Sequence, residues 1–414
     1  MTEAHPHERT TGAALDRWVH AAADELVAVR RHLHAHPELG FTEQGTTAFL
    51  EERLTAAGLS PRRLRVGTGL VCDVGSGDPD DGPVVVLRAD IDALPLADLK
   101  DVPYRSTREG LCHACGHDVH TTVLLGVALA LAQLDHLPGT VRCVFQPAEE
   151  QVPGGGPEVV GEGVLAGASR AFALHCDPSV PVGSVGLRTG AITAACDRVE
   201  VTLTGPGGHT ARPQLTVDLV HALGRVVTEV PGLLSRQVDP RSGLSLVWGA
   251  VSAGVAANAI PQTGTLRGTL RVLDRAVWSE AEQLVRRLVT DVAQTSGAGV
   301  EIEYVRGVPP VVNDPRSVAV LRSAALETVG SDGVVLSPQS MGGEDFGWFA
   351  EVLPIALARL GTAGTGPTLD LHRGTFDVDE RAIGVGVRLL GRTALHALAA
   401  DAALPAGSPG RQPL

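Results

Sequence analysis

Val84-Val85-Val86-Leu87-Arg88-Ala89-Asp90-Ile91-Asp92-Ala93-Leu94-Pro95 is the stretch from which the fold can be read. Val84 to Arg88 reads as a strand without alternation of polar and apolar residues. A short run of that kind is buried on both faces, as strands are in a parallel sheet covered by helices. Asp90 and Asp92 close it. Acidic residues at the carboxyl end of a parallel strand stand where open α/β sheets place their sites. The plainer alternative is a turn that caps a helix.

Working outward, Asp16 to His34 reads as a helix, with Leu26, Val29, Arg30 and Leu33 at helical spacing. Arg65 to Val74 reads as a strand, and Gly75 to Gly82 as a turn. Beyond Pro95, a long apolar helix runs from Val119 to about Leu134, and Val141 to Phe145 and Ala171 to His175 read as buried strands. This alternation indicates an α/β layer with a mostly parallel sheet.

From about residue 197 the pattern changes. A strand (Arg198 to Leu203), a helix (Thr216 to Val230) and two strands (Leu244 to Val251, Thr263 to Leu273) follow, then a helix (Arg275 to Thr295) and a strand (Val300 to Val305). The order β-α-β-β-α-β is that of a ferredoxin-like unit. The α/β pattern then resumes and ends in a helix from about Glu380 to Ala400. The expected organisation is a catalytic domain in two parts, 1–194 and 306–414, interrupted by an inserted domain at 195–305. The tail from about Ala402, with Pro405, Gly407, Pro409, Gly410 and Pro413, is expected to be disordered.

The 414 residues are 44% hydrophobic and 20% charged, a globular composition, and too many for one ordinary core. Aromatic residues make up 3%, so the core must rest on Ala, Val and Leu. Net charge is -13 with no basic stripe, which argues against nucleic-acid or anionic-membrane partners. Met1 to Thr11 lacks the apolar stretch of a signal peptide, and no apolar run is long enough to span a membrane. Six irregularly spaced cysteines do not make a disulfide scaffold, so a reducing cytoplasm is the expected compartment.

The densest chemistry lies in Cys112-His113-Ala114-Cys115-Gly116-His117-Asp118-Val119-His120, where six of nine residues can bind metal or move protons. A loop leads here into the long helix, with Asp118 expected as its N-cap. In an extended loop Cys115 and His117 point the same way. A thiolate and an imidazole suit zinc, and also manganese, cobalt or nickel. Cys112 and Cys115 also form a Cys-x-x-Cys, which could be a redox pair at a helix N-terminus. Downstream, Phe145-Gln146-Pro147-Ala148-Glu149-Glu150 ends an apolar strand in two carboxylates. After Pro147 both can face one site, one binding metal while the other handles a proton. Alone, such a pair reads as a solvated turn. Singly, His175 and His372 read as satisfied core or surface histidines. Gly205-Pro-Gly-Gly-His209 and Ser340-Met-Gly-Gly-Glu-Asp-Phe346 are glycine-rich turns, and the first lacks the ending of a phosphate loop.

In this order, the segments resemble the amidohydrolase branch of the aminoacylase/carboxypeptidase metallopeptidase family. That branch includes hippurate hydrolases, bacterial N-acyl-amino-acid amidohydrolases and plant auxin-conjugate hydrolases. The resemblance runs through Arg31 to His34, Pro37 to Gly40, Arg88 to Pro95, His113 to His120, Gln146 to Glu150 and Gly207 to His209. It continues in Asn258 to Pro261, Gly268 to Arg271, Met341 to Phe346 and His372 to Glu380. It implies a zinc-peptidase-like catalytic domain with an inserted ferredoxin-like lid and dimerisation domain. It implies two divalent metal ions, zinc or manganese with cobalt or nickel as alternatives, held by Cys115, His117, Glu150, His175 and His372. Glu149 would be the general base, and Asp92 would orient a ligand. His209, on the lid, would help stabilise the oxyanion in the partner subunit's site, and Asn258 and Arg271 would lie near the substrate carboxylate. The implied activity is hydrolysis of the amide bond of an N-acyl amino acid by a homodimer. Cys112 and Cys176 stand where the resemblance leads one to expect no thiol. Rival readings are a dipeptidase, a carboxypeptidase, an N-acetyl-diaminopimelate deacetylase, a non-catalytic binding protein of the same fold, and a Cys-x-x-Cys thiol oxidoreductase.

Overall fold

The computed structural model describes residues 6–75, 82–366 and 370–403. Most of the turn expected between Gly75 and Gly82, and the tail beyond residue 403, lie outside the described residues. The chain forms two compact units, each with its own sheet.

The first unit comprises Met1–Gly190, Val312–Pro338 and Asp345–Leu414. Its eight-stranded sheet is centred on the strand Val84–Asp90, whose residues are all buried. That strand runs parallel to Thr140–Gln146 on one side, with Asp90 opposite Gln146, and to Ala168–Pro181 on the other. Ile355–Ala363 runs parallel to Ala168–Pro181 in turn, with Arg359 opposite His175. Leu70–Val74 and Arg62–Arg63 extend one edge in antiparallel fashion. Asp90 and Gln146 therefore end their parallel strands, and His175 lies on the neighbouring strand two residues beyond Ala173, the partner of Arg88.

Helix His117–Leu131 packs against Ala23–Ala35 and the last helix, Arg381–Ala402. A Cβ on Gly126 would come within 2.9 Å of Val387, and one on Gly386 within 2.7 Å of Val123. Small residues thus let the helices approach closely, and few aromatics are needed to fill the core. The single helix expected from Asp16 to His34 is two, Pro6–Ala21 and Ala23–Ala35. Asp118 does not cap the long helix. The cap is Gly116, at φ 90°, and the Asp118 carboxylate turns inward to Arg30 and His34. The expected strand from Arg65 is shorter because residues 65–69 form a turn before Leu70.

The second unit comprises Ala191–Val311 and Gln339–Glu344. Its strands are Ala195–Thr204, Ser245–Ala253, Thr263–Val272 and Gly299–Val308, with helices Leu219–Gln237 and Arg275–Gln294 between them. All pairings are antiparallel, and the third and first strands in chain order form the centre of the sheet. This is the ferredoxin-like arrangement. Asp218 and Asp274 cap the two helices through the backbone N–H groups of His221 and Val277. The unit is wider than the insert read from the sequence. It takes in Gln339–Glu344 because Ser340 N donates to Ile192 O and Ala194 N donates to Ser340 O. Such a distant pairing leaves no trace in local periodicity.

Candidate metal centre

The centre is assembled in the first unit. Gly116 holds the backbone in the left-handed region between Cys115 and His117, so the chain turns sharply into the helix there. Cys115 Sγ lies 3.5 Å from His175 Nε2. His117 Nε2 lies 3.8 Å from Glu149 Oε2 and 3.8 Å from Glu150 Oε1. His372 Nε2 stands 3.4 Å from Glu150 Oε1, with its backbone at φ 57° and its N–H held by Ala114 O. Donor atoms of Cys115, His117 and His175 lie within 4.8 Å of one another, as do those of Cys115, Glu150 and His372. The five residues expected as ligands are thus brought together, with Glu149 beside them.

Hydrogen bonds fix how two imidazoles face the cluster. His175 Nδ1 sits 2.7 Å from Cys176 O, an acceptor, so Nδ1 carries the proton and Nε2 presents a lone pair. His117 Nδ1 is 3.1 Å from both Asp92 Oδ1 and Asp92 O, which again leaves Nε2 for the cluster. Asp92 Oδ2 accepts the N–H of Glu150 at 2.9 Å. One carboxylate therefore orients His117 and ties down the backbone of Glu150.

The donors fit divalent ions. Among the described residues, His117 Nε2 and Glu150 Oε1 are buried without a hydrogen-bond partner of good geometry, and both belong to the donor groups at the centre. Such atoms are costly to bury unless something binds them. Burial, reinforced by Glu150, pushes the Cys115 thiol well above its usual value. Burial alone would depress His117, but Asp90, Cys115 and Asp92 outweigh it and raise its pKa. The anions around this point favour a positive charge there, which a divalent cation supplies. Burial and the nearby Arg359 hold His175 neutral, as a ligand must be. Sulfur, nitrogen and oxygen donors together suit zinc and its neighbours among the transition metals.

The thiols of the Cys-x-x-Cys have separate partners: Cys115 faces His175, whereas Cys112 accepts from Lys100 Nζ at 3.7 Å. His209, Asn258 and Arg271 belong to the second unit. His209 pairs with Ala259 in a short two-stranded ribbon, and Thr210 N donates to Asn258 O. His209 Nδ1 accepts from Ala211 N at 3.0 Å, so the neutral ring carries its proton on Nε2. Arg271 donates to Met341 O.

The sequence matches peptidase family M20/M25/M40 over residues 86–396. The chain belongs to this family. A Rhodococcus jostii protein provisionally named glutamate–cysteine ligase 2-3 is 48% identical over 88% of this chain. The chain spans only 46% of that relative's length. N-acetyl-L-cysteine deacetylase of Bacillus subtilis is 36% identical, over 87% of this chain and 85% of its own. The solved structure of the Bacillus subtilis YXEP protein is described as a dinuclear metal-binding peptidase of the M20 family. It superposes with a TM-score of 0.80 at 32% identity, over 92% of this chain and 99% of that one.

The centre has further support in a link between Asp90 and His120 that their separate motifs do not reveal. His120 Nε2 accepts from Cys176 N at 2.8 Å, so its Nδ1–H donates to Asp90 Oδ1 at 2.6 Å. Asp90 is held by Arg88 Nη1 at 2.7 Å. This chain reaches the backbone next to His175. Beyond the motifs that hold Asp90 and His120, its local signal is spacing, since His120 lies three residues after His117 on the same helix face.

Proposed function

We propose that this chain hydrolyses the amide bond of N-acyl amino acids to a carboxylic acid and a free amino acid, using two divalent metal ions. The convergence of Cys115, His117, Glu150, His175 and His372, with Glu149 alongside and two buried donor atoms that lack a well-formed hydrogen bond among the described residues, carries the reading. These five residues would hold the ions. When bound, the ions would lower the pKa of a water to about 7 and polarise the acyl carbonyl. Glu149 takes the proton of the attacking water as its oxygen adds to the acyl carbon, and returns it to the leaving nitrogen. Asp92 keeps the lone pair of His117 on Nε2 and holds Glu150 in place. His209, with a proton on Nε2, is the proposed oxyanion donor. Asn258 and Arg271 are proposed for the substrate carboxylate. These three roles rest on the family resemblance.

Zinc or manganese is the proposed native ion, with cobalt or nickel as alternatives, because thiolate, imidazole and carboxylate suit borderline cations. A homodimer is proposed through the edge of the second unit's sheet. Strand Ser245–Ala253 lies at that edge with Val247 62% and Val251 57% exposed. The cytoplasm is the proposed compartment, since all six cysteines are free thiols. No described helix is long and apolar enough to cross a membrane.

The test is to strip the protein of metal, reload it with each of the four ions, and assay N-acetyl, N-benzoyl and long-chain N-acyl amino acids beside simple dipeptides. The relative named for N-acetyl-L-cysteine makes that compound the first to try. Metal-dependent release of free amino acid from the N-acyl compounds is expected. Turnover of dipeptides alone would move the reading to a dipeptidase, and bound metal without turnover to a non-catalytic role.

A further inference from the structure

Two sequence features play no part in the chemistry above: the glycines Gly154-Gly155-Gly156 and the turn that ends in Glu344-Asp345-Phe346. They meet at one side chain. Asp345 is fully buried where the chain re-enters the first unit. Its Oδ2 accepts from Gln146 Nε2 at 2.6 Å and from Gly156 N at 2.9 Å, and its Oδ1 accepts from Arg88 Nη2 at 2.5 Å. Arg88 Nε donates to Oε1 of the same Gln146 amide at 3.1 Å, which fixes the amide's orientation.

Gln146 ends the strand Thr140–Gln146, and Gly156 begins the helix Gly156–Gly161. Between them runs the loop that carries Glu149 and Glu150. One carboxylate therefore ties both ends of that loop. The glycines admit it: a Cβ on Gly154 would stand 2.3 Å from Asp345 Oδ2, and one on Gly156 2.7 Å from Asp345 O. Gly155 has no more room, with Pro147 O at 2.0 Å. Within the loop, Ala148 lies at φ 58°, and its N–H donates to the buried Glu43 Oε1 at 2.9 Å. Left-handed backbone at a residue with a Cβ persists only when its surroundings over-determine it. Here the clamp at the ends and the bond in the middle do so.

We propose that Asp345 is a positioning residue for the hydrolysis: by holding both ends of the loop 147–155, it sets Glu149 and Glu150 where the reaction needs them. This rests on the roles given above to those two glutamates. Asp345 acts through the loop: its carboxylate accepts from Gln146 and Gly156, which flank the loop, and from Arg88. Misplacing a reacting group by about 1 Å can cost on the order of 10²-fold in rate.

The test uses Asp345→Asn, which keeps the size of the side chain but turns one acceptor into a donor facing N–H groups. In the full-length enzyme, kcat per mole of folded protein is expected to fall on the order of 10²-fold with KM little changed. Affinity for zinc or manganese, titrated into the metal-free protein, is expected to fall about 10-fold or more. Gly154→Ala, which crowds the carboxylate, should do the same, and the double variant should lose little beyond either single one. Wild-type kcat and metal affinity in Asp345→Asn, additive losses in the double variant, or a lowered melting temperature with unchanged kcat per folded molecule would each overturn the proposal. If Asp345→Asn does not fold, Gly154→Ala alone decides, and normal kcat with normal metal affinity overturns it. A weakened metal affinity combined with full activity of Glu149→Gln would sink the base assignment and leave the clamp standing.

Discussion

Glu149 and Glu150 are neighbours with different surroundings. Glu150 approaches His372 and His117 while its N–H is held by Asp92; Glu149 Oε2 lies 3.8 Å from His117 Nε2. Replacing Glu149 by Gln removes the proposed base while keeping the shape. A fall in kcat of about 10²- to 10⁴-fold is expected, with metal content by elemental analysis at the wild-type level. Loss of metal would instead make Glu149 a ligand. His34 offers a second prediction. Burial opposes its charge, but Asp118 at 2.7 Å and Asp98 at 3.3 Å outweigh that and push its pKa up to about 10. The folded value lies above the unfolded one, so the stabilisation is complete below about pH 6.5 and is lost as pH rises through about 10. His34→Gln should lower the melting temperature by about 5 °C at pH 6 and by progressively less towards pH 10. A pH-independent difference would count against the charged pair.

At the scale of the element, the entry to helix His117–Leu131 decides the centre. Gly116 has φ 90°, and an added Cβ would lie 2.9 Å from the Cys176 Cβ and Sγ. Gly116→Ala should therefore cost about 1–3 kcal/mol in backbone strain, with a clash in addition. It should weaken metal binding by moving Cys115 against His117. Cys176→Ala in that background should recover the part due to the Sγ contact, read by chemical denaturation and metal titration; no recovery would assign the loss to the backbone and the Cβ contact, which alanine keeps. The apolar run from Val119 made this helix legible in the sequence. Its true start was not, because Asp118 looks like a cap and in fact serves Arg30 and His34, residues far away in the chain.

At the scale of the whole molecule, the second unit has Ser245–Ala253 at the edge of its four-stranded sheet, paired with Thr263–Val272 on one side and with Val247 and Val251 exposed. If this edge joins two copies, Val251→Lys should convert a dimer to a monomer in light scattering without disturbing the unit's secondary structure. A dimer that survives the charge would place the interface elsewhere. The ferredoxin-like order of this unit could be read from its elements, since each strand and helix carries its own period. The joining of Gln339–Glu344 to it could not, because that depends on backbone bonds to Ile192 and Ala194.

Taken by itself, the sequence determined the kinds of element, their order and the chemical types gathered at the site, because periodicity and motif are local properties of the chain. The tertiary structure decided which nitrogen of His117 and His175 faces the cluster, which carboxylate orients and which stands beside the donors, and that Asp345 grips the loop of Glu149 and Glu150. Each of those depends on a hydrogen bond between residues brought together only by folding, or on a backbone angle that such bonds enforce. Neither leaves a mark on its immediate neighbours in the sequence.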